Sequence, residues 1–232
     1  MPDKVSVAPL SIIIPTLNEA SGMVDALLAL QNLRTVHEII VVDGGSSDDT
    51  LHLAHALADQ VISAGRGRAL QMNAGAARAD GEIFVFLHAD THLPDHAAQL
   101  IIEGLARTSR GWGRFDVRLS GTHPLLRVVE WLMNRRSRVS GIATGDQAIF
   151  MRRDWFDAAG GFPAIPIMED IALSRALKRR GPPLCLSERV VTSSRRWEQH
   201  GIVRTILLMW WLRLAYACGA DPQRLARQYY QS

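Results

Sequence analysis

The stretch Glu38-Ile-Ile-Val-Val-Asp43, followed by Gly44-Gly-Ser-Ser-Asp-Asp49, decides the fold class of this chain. An unbroken apolar run of this length is typical of a strand that is buried on both faces of a parallel sheet. The glycines and small polar residues after it predict a tight turn and the cap of a helix. A strand, a turn and a helix are the repeating unit of an α/β fold.

The same unit recurs through the N-terminal part of the chain. We predict strands at 11–15, 38–43, 60–64 and 82–87, and helices at 20–32, 50–58, 68–78, 170–179 and 202–230. After Arg107 the pattern loosens, so we expect a less regular C-terminal third. The predicted fold class is therefore α/β, with a mostly parallel central sheet covered by helices on both faces.

Composition and charge limit the functional classes. The chain has 232 residues, of which 47% are hydrophobic and 21% charged. These values exclude a disordered chain, a collagen and a disulfide-stapled miniprotein, and the length predicts one to two domains. The net charge is only +3, but residues 107–138 hold eight arginines against two acids, and residues 195–232 hold six against two. This uneven charge suggests that the protein handles something anionic.

The ends of the chain and its cysteines predict a cellular location. Residues 1–10 contain neither a basic nor a long apolar region, so we predict no signal peptide. Cys185 and Cys218 are too few for a disulfide framework and fit a reducing compartment. The apolar stretch 206–212 is too short to span a bilayer. We therefore expect a cytoplasmic protein.

Ligands of open α/β sheets bind beyond the carboxyl ends of the strands. In this sequence those ends are residues 15–19, 43–46, 65–68 and 88–90, and each of them contains polar residues or glycine. Asp43 ends the second predicted strand. It either contacts a ligand there or caps the turn before the next helix.

Gly65-Arg66-Gly67-Arg68 follows a predicted strand and opens a helix. Leu70 stands where a dinucleotide fingerprint needs Gly or Ala, so that fingerprint is absent. Glycines at a helix N-terminus, together with arginines 66 and 68, still suit a phosphate group. A plain strand-to-helix turn is the alternative.

His88-Ala-Asp90-Thr-His92 leaves the fourth predicted strand. In an extended chain alternate side chains share one face, so three metal-ligand types would point the same way. Imidazoles favour zinc and hence a metal-dependent hydrolase, whereas a carboxylate beside a diphosphate favours Mg²⁺ or Mn²⁺. The alternative without a metal is that Asp90 caps a turn before Pro94.

Met168-Glu169-Asp170 begins an amphipathic helix. Carboxylates in a first helical turn are kept ionised by the helix dipole, and an ionised carboxylate can act as a general base. Capping alone is the alternative. A second helix carries Trp210 and Trp211 within the Arg-flanked segment 204–213, which predicts a membrane-surface helix, a buried helix or a homodimer contact.

Taken together, these motifs resemble glycosyltransferases of family 2, which have the GT-A fold. The resemblance runs from Ser11 to about Trp197. The motifs, in chain order, are Ile13-Ile-Pro-Thr-Leu-Asn-Glu19, Val41-Val-Asp-Gly-Gly-Ser-Ser-Asp-Asp-Thr50, Met72-Asn-Ala-Gly75, Ala79-Asp-Gly-Glu-Ile-Phe-Val-Phe-Leu87, His88-Ala-Asp90 and Met168-Glu-Asp170.

The resemblance implies an inverting transfer of a sugar from a nucleotide-diphosphate donor, with UDP favoured, to an acceptor hydroxyl. Asp170 is then the general base, and Asp90, with His88 in place of a second acid, binds Mg²⁺ or Mn²⁺. The remaining implied roles are nucleotide binding by Pro15, Thr16, Glu19, Asp43, Arg66 and Arg68, and acceptor or sugar binding by Glu169, Gln147, Asp146 and Trp197.

The resemblance also implies one glycosyltransferase domain over 1–232. Its parts are a nucleotide-binding half at 1–92, an acceptor-side half at 93–200 and a C-terminal helical segment at 201–232. The stretches 65–73, 145–147 and 196–201 are similar to a small bacterial subgroup named for arsenosugar biosynthesis.

The basic segment at 107–138 makes an anionic or lipid-linked acceptor a further expectation. Contact of the segment 204–213 with the inner face of the membrane is a separate expectation. Two other functional classes stay open at this point. One is a metal-dependent hydrolase that uses His88, Asp90 and His92, and the other is a non-catalytic nucleotide-binding or membrane-surface protein. Nucleic acid is not expected as a partner, because aromatic residues are not interleaved with the arginines.

Overall fold

The structure, a computed structural model, describes residues 10–231. Residues 1–9 and residue 232 lie outside the described part. Residues 1–9 make up most of the stretch where we predict no signal peptide. The strands are β1 (Leu10–Thr16), β2 (Glu38–Asp43), β3 (Gln60–Ser63), β4 (Ile83–Phe86), β5 (Thr91–His92), β6 (Trp112–Leu119), β7 (Ile149–Arg152) and β8 (Leu184–Thr192). The helices are α1 (Ala20–Leu28), α2 (Gln31–Arg34), α3 (Thr50–His55), α4 (Arg68–Arg78), α5 (Ala97–Ala106), α6 (Pro124–Ser140), α7 (Arg153–Ala159), α8 (Glu169–Lys178), α9 (Arg195–His200), α10 (Ile202–Ala217) and α11 (Pro222–Gln231).

The strands of the described residues form one sheet in the order β3-β2-β1-β4-β7-β6-β8-β5. The first four strands in that order run parallel, as predicted. β7 then pairs antiparallel with β4, with Phe86 opposite Ile149. Beyond β7 lie an antiparallel β6, a β8 parallel to β6, and a short antiparallel β5. The predicted α/β class with a mostly parallel sheet is confirmed, and the antiparallel pairs lie in its second half.

Each face of the sheet carries its own hydrophobic core. In β1, Ile12 and Ile14 pack on one side with α1, α3 and α5, whereas Ile13 packs on the other side with α4, α7 and α8. β2 and β4 show the same alternation. Because both faces are covered, a strand here must be apolar at every position. This explains the continuous apolar runs in the sequence.

Two predicted helices are interrupted in the structure. The helix predicted at 20–32 is in fact α1 and a separate short α2, because the chain turns at Leu30 to bury that side chain in the core. The helix predicted at 202–230 ends before Gly219, whose φ of +89° is left-handed, and α11 restarts at Pro222. Glycine after a helix and proline at the start of one are the usual signals for such a break.

The segment after Arg107 is more regular than expected, since it contains the long strand β6 and the helix α6. β6 carries Arg114, which is fully buried and pairs with Asp116. Arg138 of α6 also reaches Asp116, at 2.8 Å. Charged residues inside the strand hide its apolar pattern, which is why the sequence does not reveal it.

A short 3-10 turn at Gly145–Gln147 precedes β7. Residues of the predicted halves 1–92 and 93–200 contribute strands to the same sheet. The division of residues 1–232 into these parts remains a prediction.

Candidate active site

The ends of β1 and β2 lie side by side at the carboxyl edge of the sheet, with Thr16 opposite Asp43. The loops that follow are tied together. The backbone N–H of Asn18 donates to the Ser46 hydroxyl at 2.8 Å, and the N–H of Ser47 donates to Asn18 Oδ1 at 2.8 Å. The two loops therefore form one connected surface at this edge.

Gln71 of α4 supports that surface from inside the protein. Its buried amide donates to the backbone carbonyls of Thr16 at 2.7 Å and Val42 at 2.8 Å. The Thr16 hydroxyl, in contrast, is buried and has no hydrogen-bond partner in the described part of the chain. A buried hydroxyl without a partner is costly, so this atom is a candidate ligand contact.

Asp43 occupies the position predicted for nucleotide binding, but its carboxylate is engaged within its own turn. It accepts from the backbone N–H groups of Gly45 at 2.8 Å and Ser46 at 2.9 Å, and from the Ser46 hydroxyl. The turn-capping interpretation therefore describes Asp43 in this structure. Its contact with a base stays a prediction.

Asp170 lies in the first turn of α8, as predicted. Its Oδ2 accepts from the backbone N–H of Gly145 at 3.0 Å. A side chain at Gly145 would be impossible without movement, because a Cβ there would lie 2.3 Å from His88 Nε2. The 3-10 turn thus brings the predicted base and the predicted metal motif to opposite sides of one glycine.

His88 also contacts the next residue of that turn, with its Nδ1 3.4 Å from Asp146 Oδ1. Burial would raise the pKa of Asp146, but the contact with His88 and the charges of Arg68 and Arg213 lower it below its usual value. Asp146 therefore carries a negative charge at neutral pH. His88 and Asp170 are thus each linked to the 3-10 turn that carries Asp146, and we call these three residues the turn cluster.

Glu169, beside Asp170, is buried, and only 6% of it is exposed. Burial and the adjacent charge of Asp170 raise the pKa of Glu169 to about 7, although Arg68 opposes the shift. At neutral pH, Glu169 is therefore only partly ionised.

Three arginines surround this cluster. Arg68 interacts electrostatically with Glu169 and Asp146. Burial lowers the pKa of Arg213, and the charges of Asp170 and Asp146 oppose that change. Burial and the positive charge of Arg213 lower the pKa of Arg136 to about 9.

Arg136 is the least satisfied of the three arginines. Its Nε and Nη2 atoms are buried and lack hydrogen-bond partners among the described residues. An unpaired buried cation next to another cation is strongly unfavourable. An anionic ligand would remove that penalty.

Asp90 lies in the turn after β4 and faces Glu19 of the first loop. Burial and the charge of Asp90 raise the pKa of Glu19, whereas Arg195, whose Nη2 lies 3.4 Å from Glu19 Oε2, opposes the shift. The Thr91 hydroxyl donates to Asp90 Oδ1 at 3.3 Å, which leaves the other carboxylate oxygen available.

The metal motif differs from the alternation expected from the sequence. β4 ends at Phe86, so His88 and Asp90 lie in a turn, and His92 is exposed in β5. No three His, Cys, Asp or Glu side chains within residues 10–231 are grouped as metal ligands. The three-ligand arrangement predicted for a hydrolase is therefore not formed. Asp90 alone still fits Mg²⁺, which binds one or two carboxylates and takes its other ligands from water and substrate phosphates.

Two predicted acceptor or sugar contacts are placed elsewhere by the structure. Gln147 is fully buried, and its amide is used inside the 3-10 turn, where Oε1 accepts from the Thr144 N–H at 3.2 Å. Trp197 packs against the cluster formed by Leu119, Leu126 and Val129. In this structure both side chains support the fold, and their contacts with an acceptor or a sugar stay predictions.

Of the remaining nucleotide-side predictions, Pro15 is buried within β1, and Arg66 is exposed beside Gly67. The contributions of Arg136, Arg195 and Arg213 were missed at the sequence level. These arginines lie in the basic segments of the sequence. Because the chain has 24 arginines, the sequence alone does not show which of them turn inward and which are solvated.

With the geometry established, comparison with known proteins places the chain in a family. The profile described as "Glycosyl transferase family 2" matches residues 11–156, which is more than half of the chain. The chain belongs to glycosyl transferase family 2. This is the family that the sequence motifs predict. The match includes the first loop, the Asp43 turn and the His88–Asp90 turn.

Curated relatives agree with this family. The chain is 26% identical over 172 residues to an undecaprenyl-phosphate 4-deoxy-4-formamido-L-arabinose transferase of Sodalis glossinidius, a match that covers 66% of this chain and 50% of the relative. It is 32% identical over 102 residues to an uncharacterized glycosyltransferase of a Nostoc species, covering 40% and 32% of the two chains. The chain thus spans at most about half the length of these relatives.

Solved structures confirm the GT-A fold. TarS residues 1–349 of S. aureus in complex with UDP-GlcNAc gives a TM-score of 0.65 at 17% identity, covering 80% of this chain and 58% of that one. The mannosyltransferase PcManGT of Pyrobaculum calidifontis, solved with GDP-Man and Mn²⁺, gives 0.60 at 22% identity, covering 82% and 58%. At these identities the likeness establishes the fold. The arsenosugar subgroup remains a resemblance of the sequence alone.

Proposed function

We propose that this glycosyltransferase inverts the anomeric carbon of a nucleotide-diphosphate sugar as it transfers the sugar to an acceptor, with Asp170 as general base. The observation that carries the proposal is the contact of Asp170 with Gly145, the residue that also packs against His88. It supports a single reaction centre made from the turn after β4 and the start of α8.

The donor is proposed to lie across the tied loops at the ends of β1 and β2. Thr16, with its unpartnered buried hydroxyl, together with Pro15, Glu19 and Asp43, would contact the nucleoside. UDP is the proposed nucleotide. Arg66 and Arg68, at the N-terminus of α4, would contact the diphosphate.

A divalent cation, Mg²⁺ or Mn²⁺, is proposed at Asp90. Its chemistry would be to neutralise charge on the departing diphosphate. Carboxylate oxygen is the donor that these ions prefer. His88 is a weaker candidate ligand than the sequence implied, because its Nδ1 is directed towards Asp146.

The proton balance follows from the two carboxyl groups. The acceptor oxygen forms a bond to the anomeric carbon while the bond from that carbon to the diphosphate oxygen breaks, and Asp170 takes the acceptor proton. Glu169, whose pKa is raised to about 7, is only 6% exposed and is therefore less accessible to an acceptor hydroxyl than the half-buried Asp170. Glu169 and Asp146 would orient the base and bind sugar hydroxyls.

The acceptor is proposed to carry negative charge. Arg136 and Arg213 both interact with Asp170, and the buried nitrogens of Arg136 lack partners among residues 10–231. The undecaprenyl-phosphate relative acts on a lipid phosphate by its name. An acceptor of that chemical class, anionic and lipid-linked, matches the arginines.

Asp170→Asn tests the base. We expect transfer to fall by at least about a hundredfold, as for loss of a general base, while UDP binding measured by calorimetry is unchanged. Asp157→Asn, an exposed carboxylate on α7, is the matched control and should retain full activity. Loss of UDP affinity in Asp170→Asn, or transfer at the wild-type rate, would contradict the assignment.

Asp90→Ala tests the cation. In the wild type, UDP affinity should rise on addition of Mn²⁺ and fall again with a chelator, because the ion neutralises diphosphate charge. The variant should lose this dependence, whereas Asp95→Ala, an exposed neighbour, should keep it. Equal Mn²⁺ dependence in both variants would remove Asp90 from the metal site.

A further inference from the structure

α6 and α10 are neighbours that share an inner apolar contact. Leu126 and Val129 of α6 form a cluster with Ile202 and Ile206 of α10. A neighbouring side of α10 packs through Leu212 against Met168 and Ile171, next to the candidate base. Both helices are thus fixed beside the acceptor side of the site.

The outward faces of the same two helices carry large apolar side chains. Trp131 is 59% exposed, Leu207 64% and Trp210 62%. Most of them lie three or four residues from the next along each helix, a spacing that keeps side chains on one side. The full set comprises Leu125, Val128, Trp131 and Val139 on α6, and Val203, Leu207, Trp210, Trp211 and Leu214 on α10. We call this set the outer apolar face. Exposed apolar groups in this number mark an interaction site.

Arginines border the outer apolar face. A groove of about 500 Å³ beside Trp131 is lined by four arginines and two acids. Arg127 and Arg138 pair with those acids, Glu130 and Asp116. The other two, Arg135 and Arg189, have no carboxylate within 4.0 Å among the described residues. Arg204 lies in the apolar recess of α10.

We propose that the outer apolar face docks the protein on an anionic lipid bilayer. Exposed tryptophans favour the depth of the lipid headgroups, and aliphatic side chains enter the acyl boundary. Arg135 lies over the Trp131 ring at 5.6 Å, so its charge stands at the headgroup level, where anionic phosphates would pair with it. Both the positive charge and the apolar surface therefore favour an anionic bilayer as the partner of this face.

A second copy of this chain is a poorer occupant. In a two-fold interface the same patch meets itself, so the unpaired arginines of one copy would approach those of the other. No helix of the described residues is long and apolar enough to cross a bilayer. The docking proposed here lies along the membrane surface and requires no such helix.

The outer apolar face is also linked to the site. α6 carries Arg136 and α10 carries Arg213, the two arginines that interact with Asp170. A lipid-borne acceptor would then reach the site without leaving the bilayer. This last consequence rests on the proposed function, whereas the docking itself does not.

Vesicle flotation of the full chain tests the docking. We expect the wild type to float with vesicles of phosphatidylcholine and phosphatidylglycerol, to float less at high salt, and to remain behind with phosphatidylcholine alone. Leu207→Ser/Trp210→Ser should abolish flotation. Arg135→Gln/Arg189→Gln should weaken binding by about fivefold for each arginine.

Matched controls use exposed residues outside α6 and α10. Leu28→Ser/Val36→Ser and Arg78→Gln/Arg107→Gln should float as the wild type does. Thermal melts confirm that each variant is folded, and the blue shift of tryptophan fluorescence on adding vesicles gives a second measurement.

Absence of flotation in the folded wild type, or flotation unchanged in both face variants, would overturn the docking. A second result would also overturn it. In that result the wild type does not float, analytical ultracentrifugation shows a dimer, and Leu207→Ser/Trp210→Ser converts the dimer to a monomer. UDP binding, measured on the same samples, separates the two proposals, because flotation without UDP binding contradicts the transferase roles and leaves the docking supported.

Discussion

At the scale of single residues, two neighbouring carboxyl groups of the site lie in different environments. Glu169 and Asp170 are adjacent in sequence, but only Glu169 is buried away from water. Desolvation disfavours the charged form of Glu169, and the charge of Asp170 adds to this effect. A carboxyl group whose pKa is raised towards neutrality by burial is a recurring feature of acid–base sites.

The raised pKa of Glu169 has a consequence for stability. Below its unfolded pKa of about 4.5 the group is protonated in both states, so it has no net effect there. As pH rises through 4.5 and towards the folded value of about 7, the unfolded state loses its proton first and stability falls. Glu169→Gln should therefore be more stable than the wild type at pH 8, by up to about 3 kcal/mol, and equal to it at pH 4.

Melting temperatures across that pH range measure the difference. Glu82→Gln, an exposed carboxyl outside the site, serves as the control and should show no comparable trend. A difference between Glu169→Gln and the wild type that does not grow with pH would contradict the raised pKa.

At the scale of elements, the short 3-10 turn Gly145–Gln147 has the largest effect on the site. Its glycine supports both His88 and Asp170, and its Asp146 contacts His88. The sequence motif Gly145-Asp-Gln147 marks the turn, but it does not say which side chain points inward. The structure turns Gln147 into the core and leaves Asp146 at the site.

Gly145→Ala tests this turn. The added Cβ would lie 2.3 Å from the His88 ring, so we expect a loss of stability of about 1–3 kcal/mol and a reduced transfer rate. Removing the ring as well, in His88→Ala/Gly145→Ala, should recover most of the lost stability, because the two changes act on one contact. A Gly145→Ala variant that melts at the wild-type temperature would show that the ring is not packed there.

The elements also show what the sequence can and cannot predict. β1, β2 and α4 were predictable because a strand covered on both faces must be apolar throughout, and a helix that covers it must be amphipathic. β6 was not, because Arg114 and Asp116 satisfy each other inside the sheet and interrupt the pattern. Local pattern carries no information about a charge that is neutralised by a neighbour in three dimensions.

At the scale of the whole molecule, the same limit applies to the site. The positions of Asp90 and Asp170 were predictable because they follow a strand and begin a helix. The arrangement of Arg136 and Arg213 around them was not, since it depends on how α6 and α10 pack against the sheet. The arginines of the two basic segments therefore fall into two groups. Some lie beside the carboxylates of the site, and others border the outer apolar face.

The reversal of direction at β7 has a consequence for how such an enzyme can change its acceptor. Because β7 runs opposite to β4, with Phe86 paired to Ile149, the residues that enter β7 meet the residues that leave β4. The approach of the 3-10 turn to the His88–Asp90 turn is thereby set by the pairing of two adjacent strands, whatever the length of the chain between them. The intervening residues 93–144 can lengthen, shorten or change their surface in related enzymes while the chemistry stays in place, so one scaffold can serve many acceptors.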